Sequence, residues 1–281
     1  MECCFESIGK ALERLSHAGV VEQEVNDIRK KYESLMDTWK SQTLPESQLG
    51  QLGQTALHLL MDATWLEETK LVEGDFSLNA AEEGAIPEKW AMLKENYILP
   101  YTQILASPEM LSEDLEDLLH WRSGNVVFTF ATAVEDVFTS EHSYWKEDEH
   151  CTNHVGLYSF AAHQCQMTRR NKETDFTGSS SLYALLMELQ CHMRKFHMLQ
   201  RQIALTSQQI DSTNDSPTAA MGAAKKSLYS RRAYYIQQRQ TTLLHCRHLL
   251  AVFKTNVESI GNGWSAAQLE EEVAALESAV I

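Results

Sequence analysis

The sequence is poor in the residues that interrupt helices. Its 281 residues include only 12 glycines and 5 prolines, and Leu, Ala, Glu, Gln, Ser and Met are abundant. This balance favours long helices and predicts few strands or none. A chain of this length can bury one large core or two smaller ones without a metal ion or a disulfide.

Cysteine motifs and long apolar runs are also missing. The six cysteines have no regular spacing and form no C-x-x-C pair, a pattern typical of reduced thiols. No 18 apolar residues run together, and the N-terminus has no apolar core of signal-peptide length. We therefore expect no transmembrane segment and a cytoplasmic location, with the nucleus as the alternative.

Common catalytic signatures do not occur. The sequence contains no P-loop, no G-x-G-x-x-G, no G-x-S-x-G and no H-E-x-x-H. Their absence excludes the commonest nucleotide-binding and hydrolytic enzymes, although it does not exclude every enzyme. We predict a chain that is not an enzyme and has no cofactor.

The net charge of −15 is unevenly distributed along the chain. Residues 1–165 contain 11 Lys and Arg against 29 Asp and Glu, residues 166–257 contain 13 against 5, and residues 258–281 contain none against 5. A basic block inside an acidic chain indicates either an acidic partner or an internal electrostatic contact.

Helical spacing of apolar residues begins near the N-terminus. It predicts a short helix that ends near Gly19 and a longer one over residues 20–42, which together form an elbow. Residues 71–86 lose the periodicity and predict a surface loop. A helix that opens at Pro87 should end or kink at Pro100, because the proline ring removes a backbone donor.

The middle of the chain is harder to interpret. A helix that begins at Ser107 and Pro108 should stop at Ser123 and Gly124. Residues 125–130 are β-branched and aromatic enough for a short strand, but the helical spacing that follows favours a buried helix. The signal is weakest between residues 147 and 178, where we expect a helix around 155–168 and then a polar loop.

The C-terminal third has the most specific pattern. Two series of five apolar residues recur at intervals of seven, and the residue numbers of the facing members add to 439 in every pair. This register predicts an antiparallel coiled-coil hairpin with arms of about 42 Å, since a helix rises 1.5 Å per residue. The seam pairs are Leu182 with Val257, Leu189 with Leu250, Phe196 with Leu243, Ile203 with Ile236, and Ile210 with Tyr229.

The predicted fold is therefore all-α: a multi-helix bundle with a long antiparallel coiled-coil hairpin in the C-terminal third. Residues 1–178 form an N-terminal helical region, and residues 179–281 form the hairpin and a terminal helix. The apolar face of that terminal helix is still in register at Ile281. Either the helix folds back on the hairpin or the chain continues beyond it.

Two groups of residues resemble metal ligands in type. One comprises His142, Glu147, His150, Cys151 and His154, in which the imidazoles of His150 and His154 would share a helix face. The other is formed by Cys191-His192 and His245-Cys246, which lie near each other in the hairpin register. Histidines are plentiful, however, and cysteine is a common core residue, so we favour incidental histidines and packed thiols over zinc.

The basic block contains one helix without acidic residues, over residues 222–257. Its candidate docking residues are Lys225, Lys226, Arg231, Arg232 and Arg239. They could form a docking face for an acidic partner or a polyanion. Alternatively, and more in line with the charge distribution, this helix packs on the acidic region of the same chain or of an acidic sister subunit.

The function that fits this pattern best is that of a non-catalytic structural or interaction subunit, whose helices bundle with those of partner chains. Cytoskeletal, chromosomal and vesicle-tethering complexes are all compatible. The alternative is a polyanion binder that contacts microtubules or nucleic acid through residues 222–257. A third, weaker hypothesis is a metal-dependent helical-bundle enzyme that uses the cluster from His142 to His154.

Overall fold

The structure is a computed structural model of the 281-residue chain, and it is helical throughout the part that it describes. The described residues are 2–17, 22–41, 51–64, 86–106, 112–133 with 135, 154–170, 179–212, 219–260 and 266–280. No strand occurs within these ranges, as the scarcity of Gly and Pro predicts. The chain divides into two compact units, residues 1–138 and residues 139–281.

The first unit begins with α1 (Glu2–His17) and α2 (Glu22–Lys40), which pack on each other as the predicted elbow. The ring of Phe5 lies 6.4 Å from that of Tyr32 and 6.0 Å from that of Trp39. A Cβ added at Gly9 would lie 3.2 Å from the Tyr32 hydroxyl oxygen. Gly9 therefore permits the close approach of these two helices.

Pro100 was predicted to end or kink its helix; in the structure the helix changes type just before this residue. After α3 (residues 51–64) and α4 (Ile86–Leu93), Lys94–Ile98 form one π-helical turn that leads into α5 (Leu99–Leu105). The backbone N–H of Leu99 bonds to the carbonyl of Lys94. The wider turn accommodates the proline ring, and the chain continues as a helix.

The predicted stop at Ser123 and Gly124 is wrong. Helix α6 runs from Glu113 to Ala133, and both residues are buried inside it. A mid-helix glycine costs about 1 kcal/mol, and the burial of Val127 and Phe130 in the next turns offsets that cost. Residues 125–130 are helical, as the spacing favoured.

The core of the first unit also contains polar contacts. Arg122 is buried and donates from Nη1 to the Met61 carbonyl at 2.5 Å, which ties α6 to α3. The hydroxyls of Thr64 and Tyr101 lie 2.7 Å apart and link α3 to α5. The predicted loop over residues 71–86 lies outside the described residues, apart from Ile86 at its end.

The second unit comprises α7 (His154–Thr168), α8 (Ser179–Ser212), α9 (Ala219–Ile260) and α10 (Ala267–Ser278). Helix α7 corresponds to the helix expected around 155–168. It packs against α8, so this unit begins well before the division predicted at residue 178. Helix α10 folds back on α9 and α8, which is the first of the two alternatives for the terminal helix.

Candidate interaction surface

Helices α8 and α9 pack on each other in opposite directions. The ring centroids of His192 and His245 are 5.1 Å apart, and the Arg239 guanidinium carbon lies 5.9 Å from the centroid of Phe196. Later residues of α8 therefore contact earlier residues of α9, so the two helices are antiparallel. With 34 and 42 residues, the helices are about 51 and 63 Å long.

One end of this pair has a continuous apolar core. We call it the base, and it comprises residues 182–196 of α8 and 242–257 of α9. Its buried cluster includes Leu185, Leu189, Phe196, Leu249 and Phe253. The base is the part of the pair that the two neighbouring helices cover.

Polar contacts hold those neighbouring helices on the base. On one side, Arg169 follows the last turn of α7 and pairs with Glu188 of α8. On the other side, Lys254 and Arg247 of α9 pair with Glu270 and Glu277 of α10, at 2.7 and 2.5 Å. These latter pairs are exposed, so the apolar contacts beneath them, and not the charges, supply most of the stability.

The other end, which we call the tip, comprises residues 197–212 of α8 and 224–241 of α9. Between residues 224 and 241, α9 has no buried side chain, whereas eight side chains between 242 and 257 are buried. Tyr229 and Tyr234 of the tip are 48% and 56% exposed. In α8, Met198, Leu199 and Ile210 remain buried. The tip therefore presents aromatic surface mainly on its α9 side.

The predicted seam residues differ in burial along the pair. Six of the ten are buried, and the least buried is Tyr229, near the N-terminus of α9. The buried members are Leu182, Leu189, Phe196, Ile210, Leu243 and Val257; the half-buried members are Ile203, Ile236 and Leu250.

The candidate docking residues all lie on the tip of α9, but only two of them are largely exposed. Lys226 and Arg231 are exposed, while Lys225, Arg232 and Arg239 are half-buried. The Nε atoms of Arg232 and Arg239 are buried without a hydrogen-bond partner in the described part of the chain. A buried polar atom without a partner costs free energy, so these guanidinium groups would gain from an acceptor.

His192 of α8 and His245 of α9 lie next to each other, and the neighbouring Cys191 and Cys246 are buried. Among the described residues no three His, Cys, Asp or Glu side chains are arranged to hold a metal ion. The Cys191 thiol is hydrogen-bonded to Cys165 of α7, and burial together with this contact raises its pKa. Burial also raises the pKa of the Cys246 thiol, to about 12. Both cysteines are core residues.

The other candidate metal cluster cannot be placed. His142, Glu147, His150 and Cys151 lie outside the described residues, and only the backbone of His154 is described, at the start of α7. Zinc binding by this cluster therefore remains a hypothesis that rests on the sequence only.

Sequence reasoning missed the buried ion pair between Arg169 and Glu188. The available signal was weak: Glu188 is the only acidic residue between Asp175 and Asp211, and it lies in an apolar stretch. Its partner is 19 positions away on another helix, so no periodic pattern connects the two.

No family model, curated protein or solved structure matches the chain. Within the described ranges, no helix combines the length and the apolar character needed to cross a bilayer. The functional argument therefore depends on the surfaces of the second unit.

Proposed function

We propose that this chain is a non-catalytic subunit of a multiprotein assembly, and that the tip of the α8–α9 pair bundles with helices of partner chains. One observation carries the proposal. Between residues 224 and 241 no α9 side chain is buried, although the helix continues from Thr242 towards its N-terminus for a further 23 residues. A helix pair that extends so far beyond its own core has an outer surface that partners can cover.

The finer form of the proposal is a coiled-coil hairpin. The heptad series extends through Ile203 and Ile210 in α8 and through Tyr229 and Ile236 in α9, well beyond the base. A two-stranded coil buries only its inner seam, so the flanking apolar residues remain accessible. The half-buried Leu205 and Tyr235 and the exposed Tyr234 would add to such a second contact surface.

Charge favours an acidic helical partner. The tip of α9 contains five basic residues and no acidic residue, and Asp211 is the only acidic residue of the α8 tip. Opposite charges beside an apolar seam select the partner and accelerate its association. Cytoskeletal, chromosomal and vesicle-tethering assemblies, in the cytoplasm or the nucleus, all offer helices of this kind.

The test compares two variants with the same change in net charge. Arg231→Glu/Arg232→Glu reverses the charge of the α9 tip, and Lys30→Glu/Lys31→Glu reverses two adjacent exposed lysines of α2, outside the tip. Full-length tagged chains are purified from their native cells, and partner chains present in stoichiometric amounts are identified and their association rates measured. We expect the first variant to slow association, most strongly at low ionic strength, and the second to have little effect.

Stability decides whether this comparison is valid. Exposed charges usually contribute less than about 1 kcal/mol to folding. A larger loss of stability in Arg231→Glu/Arg232→Glu would mean that the basic residues dock within the molecule, and it would contradict the external docking face. Absence of any stoichiometric partner would contradict the subunit proposal as a whole.

A second candidate function is direct binding of a polyanion through the same face. The unpartnered Nε atoms of Arg232 and Arg239 favour it, because phosphate and carboxylate oxygens are good acceptors for guanidinium groups. Binding of the purified chain to microtubules or to nucleic acid, with a steep loss of affinity as salt increases, would support this alternative. A stable helical partner that resists moderate salt would support the first proposal.

A further inference from the structure

A polar cleft of ≈ 320 Å³ opens on the base of the α8–α9 pair, beside α7. Its most buried charged lining residues are Arg169 and Glu188, which form an ion pair with each other. His192 and Lys195 of α8 line it together with His245 of α9. The cleft thus collects ionisable groups from three helices.

The balance of charge in this cleft is positive. Among the described lining residues Glu188 is the only acidic one, and the adjacent Arg169 already neutralises its carboxylate. Lys195 is half-buried and makes no hydrogen bond or ion pair with any residue that the structure describes. A desolvated ammonium group without a counter-ion is costly. Among the described residues, none supplies an anion for it.

The pKa values of two histidines in the cleft are lowered, mainly by burial and to a smaller extent by neighbouring positive charge. Burial, assisted by His245 and Lys195, lowers the pKa of His192 to about 3. Burial also lowers the pKa values of His245 and Lys195, and Lys195 and His248 contribute to the shift of His245. In addition, Nδ1 of His192 is buried and has no hydrogen-bond partner among the described residues. An anion in the cleft would relieve each of these costs.

We propose that the cleft binds the phosphate group of a small molecule, which Lys195, His192 and His245 contact directly. The ammonium group supplies the charge, and the imidazoles supply N–H donors in a fixed geometry. Glu188 acts through Arg169, whose guanidinium it holds at the cleft. Ala162 and Leu249 add an apolar wall, and the volume is near the lower limit for small-molecule sites, about 300 Å³. This inference does not depend on the proposed assembly function.

The test uses inorganic phosphate and glycerol 3-phosphate as probes, with chloride at equal ionic strength as the reference. The imidazole proton resonances of His192 and His245 are followed by NMR in the full-length chain. We expect saturable shifts, together with higher pKa values for both histidines when phosphate is bound. Tighter binding of the ester would assign its organic part to the apolar wall, and equal binding would overturn that assignment.

Variants make the assignment specific. Lys195→Gln should weaken binding about tenfold or more, since a hydrogen bond to a charged group contributes roughly 1.5–3 kcal/mol. Lys195→Arg should retain binding because it keeps the charge. Lys254→Gln removes the same charge from the same unit, outside the cleft, and should also retain binding. Because Lys195 has no hydrogen-bond or ion-pair partner in the described part of the chain, we expect its replacement not to lower stability.

Two results would overturn the proposal. One is that phosphate and chloride have indistinguishable effects on the histidine resonances. The other is that Lys195→Gln and Lys254→Gln bind phosphate equally well. The second would show that the effect of phosphate arises from general screening or solvent exclusion, to which all exposed charges contribute.

Discussion

Arg169 and Glu188 form a bidentate ion pair that is almost completely buried. Nε donates to Oε2 at 2.6 Å and Nη2 to Oε1 at 3.2 Å, and the two side chains are 5% and 6% exposed. Burial raises the pKa of Glu188, and the bonds from Arg169 oppose that shift. The pair joins the end of α7 to α8, so it contributes to positioning the polar cleft.

Removal of either partner should be far more damaging than removal of both. Arg169→Met or Glu188→Leu leaves an uncompensated buried charge, for which we expect a loss of about 3–5 kcal/mol. The double variant leaves no such charge and should cost clearly less than the sum of the two single variants. Urea unfolding of the three variants measures the difference. Additive losses would show that the two charges do not interact in the folded chain.

Leu189 offers a direct test of the core at the base. Its side chain is fully buried, so Leu189→Asp should lower the free energy of unfolding by about 3 kcal/mol or more, because an unpaired carboxylate enters an apolar environment. Leu243→Asp should behave in the same way. Gln190→Asp introduces the same carboxylate at the adjacent exposed position and should change stability little. Similar losses at 189 and 190 would contradict the assigned core face.

The coiled-coil register predicts which positions of the tip are neighbours. Paired helix axes lie 8–10 Å apart, so Ile203→Cys with Ile236→Cys should react efficiently with a short thiol crosslinker. Ile203→Cys with Tyr229→Cys moves one thiol seven residues along α9, about 10 Å away, and should react poorly. Peptide mass spectrometry identifies the products. Preferential crosslinking of the second pair would show that the register is wrong.

His192 should make the protein less stable in mild acid. Its pKa falls from the usual 6.5 to about 3 in the folded chain, so the unfolded chain binds more protons between these values. Stability from this group is complete above about pH 6.5 and is lost as the pH falls. Between pH 6.5 and 5 the loss should reach about 2 kcal/mol, at 1.36 kcal/mol per pH unit.

The matched comparison is His192→Gln, which cannot take up the proton. Its free energy of unfolding should depend less on pH over the same range, and the remaining slope should reflect groups such as His245, whose pKa is also lowered. Measurements above pH 5 limit the opposing contribution of Glu188, whose pKa burial raises. An unchanged pH slope in the variant would contradict the assignment to His192.

Several elements could be predicted because their causes are local. A helix was expected around residues 155–168 despite a weak signal, and α7 occupies this range; the spacing after residue 125 correctly favoured a helix over a strand. Pro100 was expected to end or kink the helix because its ring removes a backbone N–H; in the structure a π-helical turn precedes it and the helix continues. The π-turn that accommodates it depends on how the preceding residues pack, so no local signal indicated it.

Where local preference and packing disagreed, packing decided. Gly124 is a poor helix residue, but it lies inside α6 because the burial of its neighbours outweighs a cost of about 1 kcal/mol. Tyr229 has the heptad spacing of a core residue but is half exposed. The heptad rule identifies a face of the helix, whereas exposure depends on which other helices cover that face.

The all-helical character and the helix-forming ranges of the second unit were determined by the sequence itself, because periodicity and the scarcity of Gly and Pro act within single segments. Tertiary structure alone decided that Arg169 meets Glu188 and that Lys195 lies half-buried without a counter-ion among the described residues. These contacts join residues on different helices, and their energies depend on burial, which no single segment specifies.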